Sequence, residues 1–504
     1  MYFSRLALSL TKIINTNRMK LKTYLLVLLA GFFIISCKDD KEPEPKPGNK
    51  TIPENIEWIE KTMRNNYYWY KEIPSEDKLD YKMKEEDFFM SLLSDNDGKT
   101  INNHHYYFST IEKLSSGPAT YSGASDQESI SYGFDFMSIY SDQTYNTVIL
   151  LVRYILNDSP AKESDLKRGD WITEIDGKPI TLDDAEQLSV GGKELSLTII
   201  RWDPRYNRHI VVPEKIKLSA ARHVEENPVH FAKVITTPSK EKKVGYLVYN
   251  HFTRGINDND NSYDNELRTL SATTFDGVDE FVLDLRYNGG GLLTSAILLC
   301  AVLAPGSALE KTFGYLEYND KASNREITFK AGQEQLRPNG KNLNLSTLYV
   351  LVSRESASAS ELVINSLLPY MNVVIIGEQT IGKNVASISY KSKDNAWEIN
   401  PIVARILNSE RKSDYIDGFS PDHLLHEAYA PSAQNPNVVT LVEVNELGDE
   451  NERLLRVALN MIDNTDVNVR SATQEFAPTY TLAPYNSSNR KFTKGVIIEP
   501  HFQK

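Results

Sequence analysis

The run Leu348-Tyr-Val-Leu-Val-Ser353, followed by the turn Ser356-Ala-Ser-Ala-Ser360, restricts this chain more than any other stretch. The first piece is apolar and β-branched, the pattern of a buried strand. The second is built of small residues. An apolar, helix-compatible run then follows, Glu361-Leu-Val-Ile-Asn-Ser-Leu-Leu368. A strand that delivers a small hydroxyl residue to the start of a helix suits a nucleophile. Small neighbours let a substrate backbone approach, and the free N–H groups of the helix start favour developing negative charge. A second apolar strand, Val373-Val-Ile-Ile376, leads through Gly377 to Glu378-Gln-Thr-Ile-Gly-Lys383. It places one lysine on a loop beside that turn, and serine with lysine is an alternative to serine with histidine.

The sequence has 504 residues, enough for about three domains. Its net charge of −12 excludes a nucleic-acid partner, which calls for a basic surface. Of the two cysteines, Cys300 sits in the apolar run Ala296–Leu303 and is read as a core residue. Cys37 has a different setting. Met19-Lys-Leu-Lys22 is basic, Tyr24 to Ile35 is apolar, and Ile34-Ile-Ser-Cys37 resembles a lipobox. The apolar segment is short of the ~20 residues of a membrane span and fits a signal peptide. Residues 1–37 are therefore read as a lipoprotein signal ending in a lipidated Cys37. The mature chain is placed in the bacterial cell envelope, as an outer-membrane lipoprotein facing the periplasm or the outside. Residues 38–50, rich in Pro and charge, read as a disordered tether.

Residues 51–125 read as a small helical domain, with Ile56, Ile59, Met63, Tyr67 and Tyr70 at three- and four-residue steps. His104 and His105 lie in a polar loop without the carboxylates or cysteines that a metal site needs. No motif calls for a metal or a cofactor. In residues 126–205, Ser131-Tyr-Gly-Phe-Asp-Phe136, Ser159-Pro-Ala161, Leu166-Lys-Arg-Gly-Asp170 and Ile175-Asp-Gly177 occur in succession. Together they resemble a PDZ domain. Such a domain binds a peptide C-terminus as an added strand, with its carboxylate on backbone N–H groups. Here those groups would come from Tyr132, Gly133, Phe134 and Asp135. Residues 206–430 alternate strands with helices and imply a mostly parallel or mixed sheet. Residues 431–504 hold one helix, Leu454 to Ile462, and then a largely polar stretch without a motif.

Four pieces in order, Gly245-Tyr-Leu247, Asp284-Leu-Arg-Tyr-Asn-Gly-Gly-Gly291, Ser356-Ala-Ser-Ala-Ser-Glu361 and Gly377-Glu-Gln-Thr-Ile-Gly-Lys383, follow the PDZ-like region. This arrangement resembles the C-terminal processing peptidases, or tail-specific proteases. The resemblance implies a multidomain α+β chain: a helical N-terminal domain, a PDZ-like β domain and a ClpP/crotonase-like α/β protease core. It implies a Ser–Lys dyad of Ser358 and Lys383, with oxyanion donors at Gly289 or Gly290 and at Ala359. Spacing alone leaves Ser356 and Ser360 as competing nucleophiles. A lysine base must be neutral, so its pKa must be lowered by burial. The implied partners are polypeptides with free C-termini and, through the anchor, a membrane. Two positions depart from the family pattern. Ser387 stands where many members carry a glutamine that orients the lysine, and Pro369 stands where some carry an aspartate. The alternative reading is a catalytically weak or inactive peptide-binding lipoprotein of the same fold.

Overall fold

The computed structural model describes residues 52–101, 104–114, 128–141, 144–257, 259–465, 479–486 and 496–499. The signal peptide, Cys37 and the tether lie outside the described residues.

A six-stranded sheet forms the centre. Its order is Val229–Thr236, Lys243–Tyr249, Glu280–Asp284, Thr347–Val352, Asn372–Gly377 and His423–Leu424. The first pair is antiparallel and the other four are parallel. Because strand side chains alternate, the sheet has two faces to bury. Leu247, Leu283 and Val350 face helices Leu293–Leu303 and Ala359–Leu367. Tyr246, Val248 and Leu351 are covered by helix Arg453–Ile462 through Leu455 and Leu459. Helix Leu293–Leu303 is apolar apart from Thr294 and Ser295 and is buried on every side, Cys300 included. A helix apolar all round belongs in an interior.

Against this layer lies a second six-stranded sheet, in the order Gly291–Leu292, Val496–Ile497, Val385–Ser387, Ile402–Asn408, Thr312–Tyr318 and Arg325–Thr328. Its first strand leaves the glycine turn and its third leaves Lys383. The strand between them comes from the polar C-terminal stretch in which the sequence pattern shows no element.

A third, antiparallel sheet carries Phe134–Tyr140, Val148–Ile155, Trp171–Ile175 and Leu195–Asp203, with helix Leu182–Ser189 packed on it. Arg208–Val211 and Ile216–Leu218 also pair with Leu195–Asp203. The sheet thus runs past residue 205, where the sequence places a boundary. On its other side Thr479–Asn486 pairs antiparallel with Phe134–Tyr140, covering Met137 to Tyr140. The edge where an incoming peptide strand is expected thus already holds a strand of the same chain. Within the expected carboxylate loop, Gly133 N–H donates to Ser131 Oγ at 2.8 Å.

Helices Glu54–Asn66 and Glu85–Met90 form the N-terminal part, and strand Thr110–Lys113 joins it to the core through Trp397–Asn400. Buried ion pairs tie the antiparallel sheet to the core. Arg153 binds Asp135 at 2.5 Å and Glu355 at 2.6 Å, and Glu355 adjoins the serine turn. Arg168 reaches Tyr287 and Glu427, both at 2.6 Å. Arg286, fully buried, holds Asp284, Glu452 and Glu427.

Candidate active site

Ser358 ends the turn after strand Thr347–Val352 and caps helix Ala359–Leu367, with φ 62° and ψ −111°. A non-glycine residue rarely adopts this backbone, which costs about 1–3 kcal/mol and clusters at functional sites. The three serines of the turn now differ. Ser356 Oγ donates to Leu285 O at 2.8 Å, and Ser360 Oγ donates to Asn288 O at 2.9 Å. Ser358 Oγ is buried without a hydrogen-bond partner among the described residues.

Asn288 joins the serine turn to the glycine turn. Its carbonyl accepts from Ala357 N and Ser360 Oγ, and its side-chain oxygen accepts from Gly290 N at 2.9 Å. The expected donor Gly290 therefore has its N–H engaged within its own turn. The residue itself lies against the nucleophile: a Cβ at Gly290, where φ is +115°, would sit 2.9 Å from Ser358 Oγ. No side chain fits there. Ala359 N–H heads its helix and has no acceptor within it.

Lys383 is 1% exposed. Burial lowers its ammonium pKa to about 8, although the charges of Asp97 and Glu361 pull it upward. Its Nζ donates to Phe108 O at 3.4 Å and lies 4.8 Å from the centre of the Phe108 ring. No hydrogen bond joins it to Ser358 Oγ. Ser387, the residue at the glutamine position, donates its hydroxyl to Val496 O at 3.5 Å. Pro369 follows the serine helix. The partner of the lysine thus comes from the N-terminal part. Buried Asp97 fixes it there, accepting from Phe108 N, Ser109 N and Tyr67 Oη. Sequence reasoning missed this set because Phe108 and Lys383 are 275 positions apart.

Glu361 brings the two catalytic pieces together. Its Oε2 accepts from Ser358 N and Lys383 N, each at 2.8 Å. Its Oε1 accepts from Gly382 N at 2.6 Å and Thr380 Oγ1 at 2.5 Å. Gly382 is required in the lysine loop: φ is +92°, and a Cβ would stand 2.1 Å from Ile416 O. The one sequence feature that marks it is a glutamate three residues after the serine, at 358–361. Glu361→Gln would turn an amide NH2 toward one pair of donors. Misplacement of either loop by about 1 Å costs roughly a hundredfold. A loss of that size in kcat is expected, together with a lowered melting temperature because buried donors lose their acceptor. Full activity in this variant would show that the carboxylate does not set the geometry.

Peptidase family S41 matches residues 243–424, and the peptidase S41 N-terminal domain matches residues 54–110. A carboxyl-terminal-processing protease of Synechocystis is 28% identical over 277 residues, 54% of this chain and 58% of that protein. The match thus spans little more than half of that relative. A CtpA-like serine protease of Staphylococcus saprophyticus is 25% identical over 385 residues, 72% of this chain and 70% of that protein. Among solved structures, an S41 protease from Bacteroides fragilis superposes with a TM-score of 0.67 at 34% identity, covering 84% of this chain and 100% of that one. By matched segments, relatives and fold, the chain belongs to peptidase family S41.

Proposed function

We propose that the chain is a serine endopeptidase with Ser358 as nucleophile and Lys383 as general base. The observation that carries this is the contrast within one turn. Two serine hydroxyls are committed to backbone carbonyls, while the third, on a strained backbone whose N–H shares Glu361 with the lysine loop, has no partner among the described residues. Lysine side chains are flexible, and apo hydrogen bonds at catalytic groups are often long. Neutral Lys383 leaves Phe108 O and takes the Ser358 proton as Oγ bonds to the scissile carbonyl carbon. Ala359 N–H and the N–H of Gly289 receive the oxyanion, since the Gly290 N–H is held by Asn288 Oδ1. The lysine ammonium then protonates the departing amine. Water releases the acyl group by the same steps in reverse order.

The antiparallel sheet with helix Leu182–Ser189 serves as a PDZ-like module for chain ends, with the Tyr132–Asp135 loop as its carboxylate site. A lipidated Cys37 holds the protein at the outer membrane of the bacterial envelope, on its periplasmic or outer side. Both readings rest on the sequence motifs.

An active-site phosphonate tests the dyad. The expected result is one adduct, on the peptide containing Ser358, that fails to form in Lys383→Ala. Labelling at Ser356 or Ser360 would reject the assignment. The pH profile is a second check. Only the neutral amine is a base, so kcat/KM should rise with pH through a midpoint near 8, the lowered lysine value. A rate independent of pH across that range would mean that another group takes the proton.

A further inference from the structure

Strand Val496–Ile497 lies between two short strands that lead directly out of the catalytic pieces. It runs parallel to Gly291–Leu292, with Gly291 opposite Val496 and Leu292 opposite Ile497. It also runs parallel to Val385–Ser387, with Ala386 opposite Val496 and Ser387 opposite Ile497, and Ile498 N–H donates to Ser387 O at 3.0 Å. Gly291 is the next residue after Gly290, which touches Ser358, and Ala386 is the third after Lys383. The Val496 end is therefore the end nearest the dyad. An extended chain bonded on both sides beside a nucleophile is how a substrate strand would be held. Ser358 is 0% and Lys383 1% exposed in this arrangement, so the hydroxyl is closed to a polypeptide.

The same C-terminal stretch also meets the other expected contact of a substrate. Thr479–Asn486 pairs with Phe134–Tyr140, the strand that follows the Tyr132–Asp135 loop. One stretch of chain thus pairs with the strand after the Tyr132–Asp135 loop and then with the two strands that leave the catalytic loops.

The seat is imperfect. Val496 and Ile498 join the main core, but Glu499 on the alternate side is 1% exposed. Its Oε1 accepts from Thr294 Oγ1, and its Oε2 has no partner among the described residues. Burial pushes its pKa up to about 7. A strand serving only as core filling would not carry a buried carboxylate half unpaired, since that group disfavours the docked state.

We infer that Val496–Glu499 is an intramolecular occupant of the substrate cleft, a strand that leaves to admit an apolar, β-branched segment of a polypeptide substrate. This rests on the peptidase reading above and names the regulation and the subsite preference of that same site. The competing occupant, an incoming chain, forms the same ladder with Gly291–Leu292 and Val385–Ser387. Tethering gives the resident strand a millimolar effective concentration, so the resting enzyme is mostly closed.

The test uses the full chain with a specific protease recognition sequence inserted between Ser488 and Asn489, so that it folds before it is cut. After cutting, the fragment carrying Val496–Glu499 should separate on gel filtration. The initial rate on an unfolded, carboxymethylated protein should then rise about tenfold or more. A synthetic peptide of residues 494–500 should reverse this by raising KM at constant kcat. Glu499→Gln, which keeps the strand in place, should act in the opposite sense and slow the uncut enzyme. Release of the fragment from a chain that does hydrolyse the substrate, with no gain in its rate, would overturn the inference. So would a fragment that separates only when the protein unfolds, which would make the strand an integral part of the core. Binding of the fluorescent 494–500 peptide is also measured on the cut Ser358→Ala chain. Binding there, with no hydrolysis by the cut chain that retains Ser358, would leave the cleft assignment standing and remove the peptidase reading.

Discussion

Ser358→Ala is expected to lower kcat on an unfolded protein by about four orders of magnitude or more, and Lys383→Ala by a similar factor. The two act as one unit, so the double variant should be no slower than either single one. Ser358→Ala removes an oxygen with no hydrogen-bond partner among the described residues, so it strands no buried donor or acceptor there. Its fold should be intact, which makes the loss of rate a statement about chemistry. Lys383→Ala removes a side chain whose nitrogen contacts Phe108 O and its ring, so a small loss of stability accompanies it. Equal hydrolysis by Ser358→Ala, Lys383→Ala and the unaltered chain would reject the dyad. If only Ser358→Ala were inactive, the serine would stand and its base would lie elsewhere.

Arg286→Met should have the largest effect on stability, a loss of about 3–5 kcal/mol near neutral pH. Methionine fills much of the volume but leaves buried Asp284 without its cation and Glu427 and Glu452 with Arg168 alone. The pH dependence separates this account from simple misfit. Burial by itself would raise the Glu427 pKa, but the charges of Arg168 and then Arg286 override it and hold the value down to about 2. A carboxyl held below its unfolded value stabilises the fold above about pH 4.5, and that contribution fades as pH falls toward 2. Without Arg286 part of the contribution is already gone. The gap between the two proteins in urea melts should therefore narrow as pH falls from about 4.5 toward 2. A gap of constant size would point to packing alone.

The sequence made the central sheet legible because its strands are continuous apolar runs and its helices follow at regular distance. Leu348–Ser353 and Glu361–Leu368 fall on an observed strand and helix. The serine and lysine loops were legible through their glycines and small residues. Which serine carries an unengaged hydroxyl was not, because Leu285 O and Asn288 O reach the turn only after folding. Phe108 and Asp97 gave no signal, since a backbone carbonyl has no residue type and an isolated aspartate in a loop is ordinary. The strands at Thr479–Asn486 and Val496–Ile497 escaped because both gain their character from neighbours. The first lies in a largely polar stretch, and the second is too short to show a period.

Position 358 also bears on how this chain could evolve. Glycine would relieve the φ of 62° there, so pressure for heat resistance alone would push the position toward glycine. Lineages selected for sturdiness would fall silent at this turn first, while keeping the rest of their architecture. The hydroxyl would survive only where turnover itself is under selection.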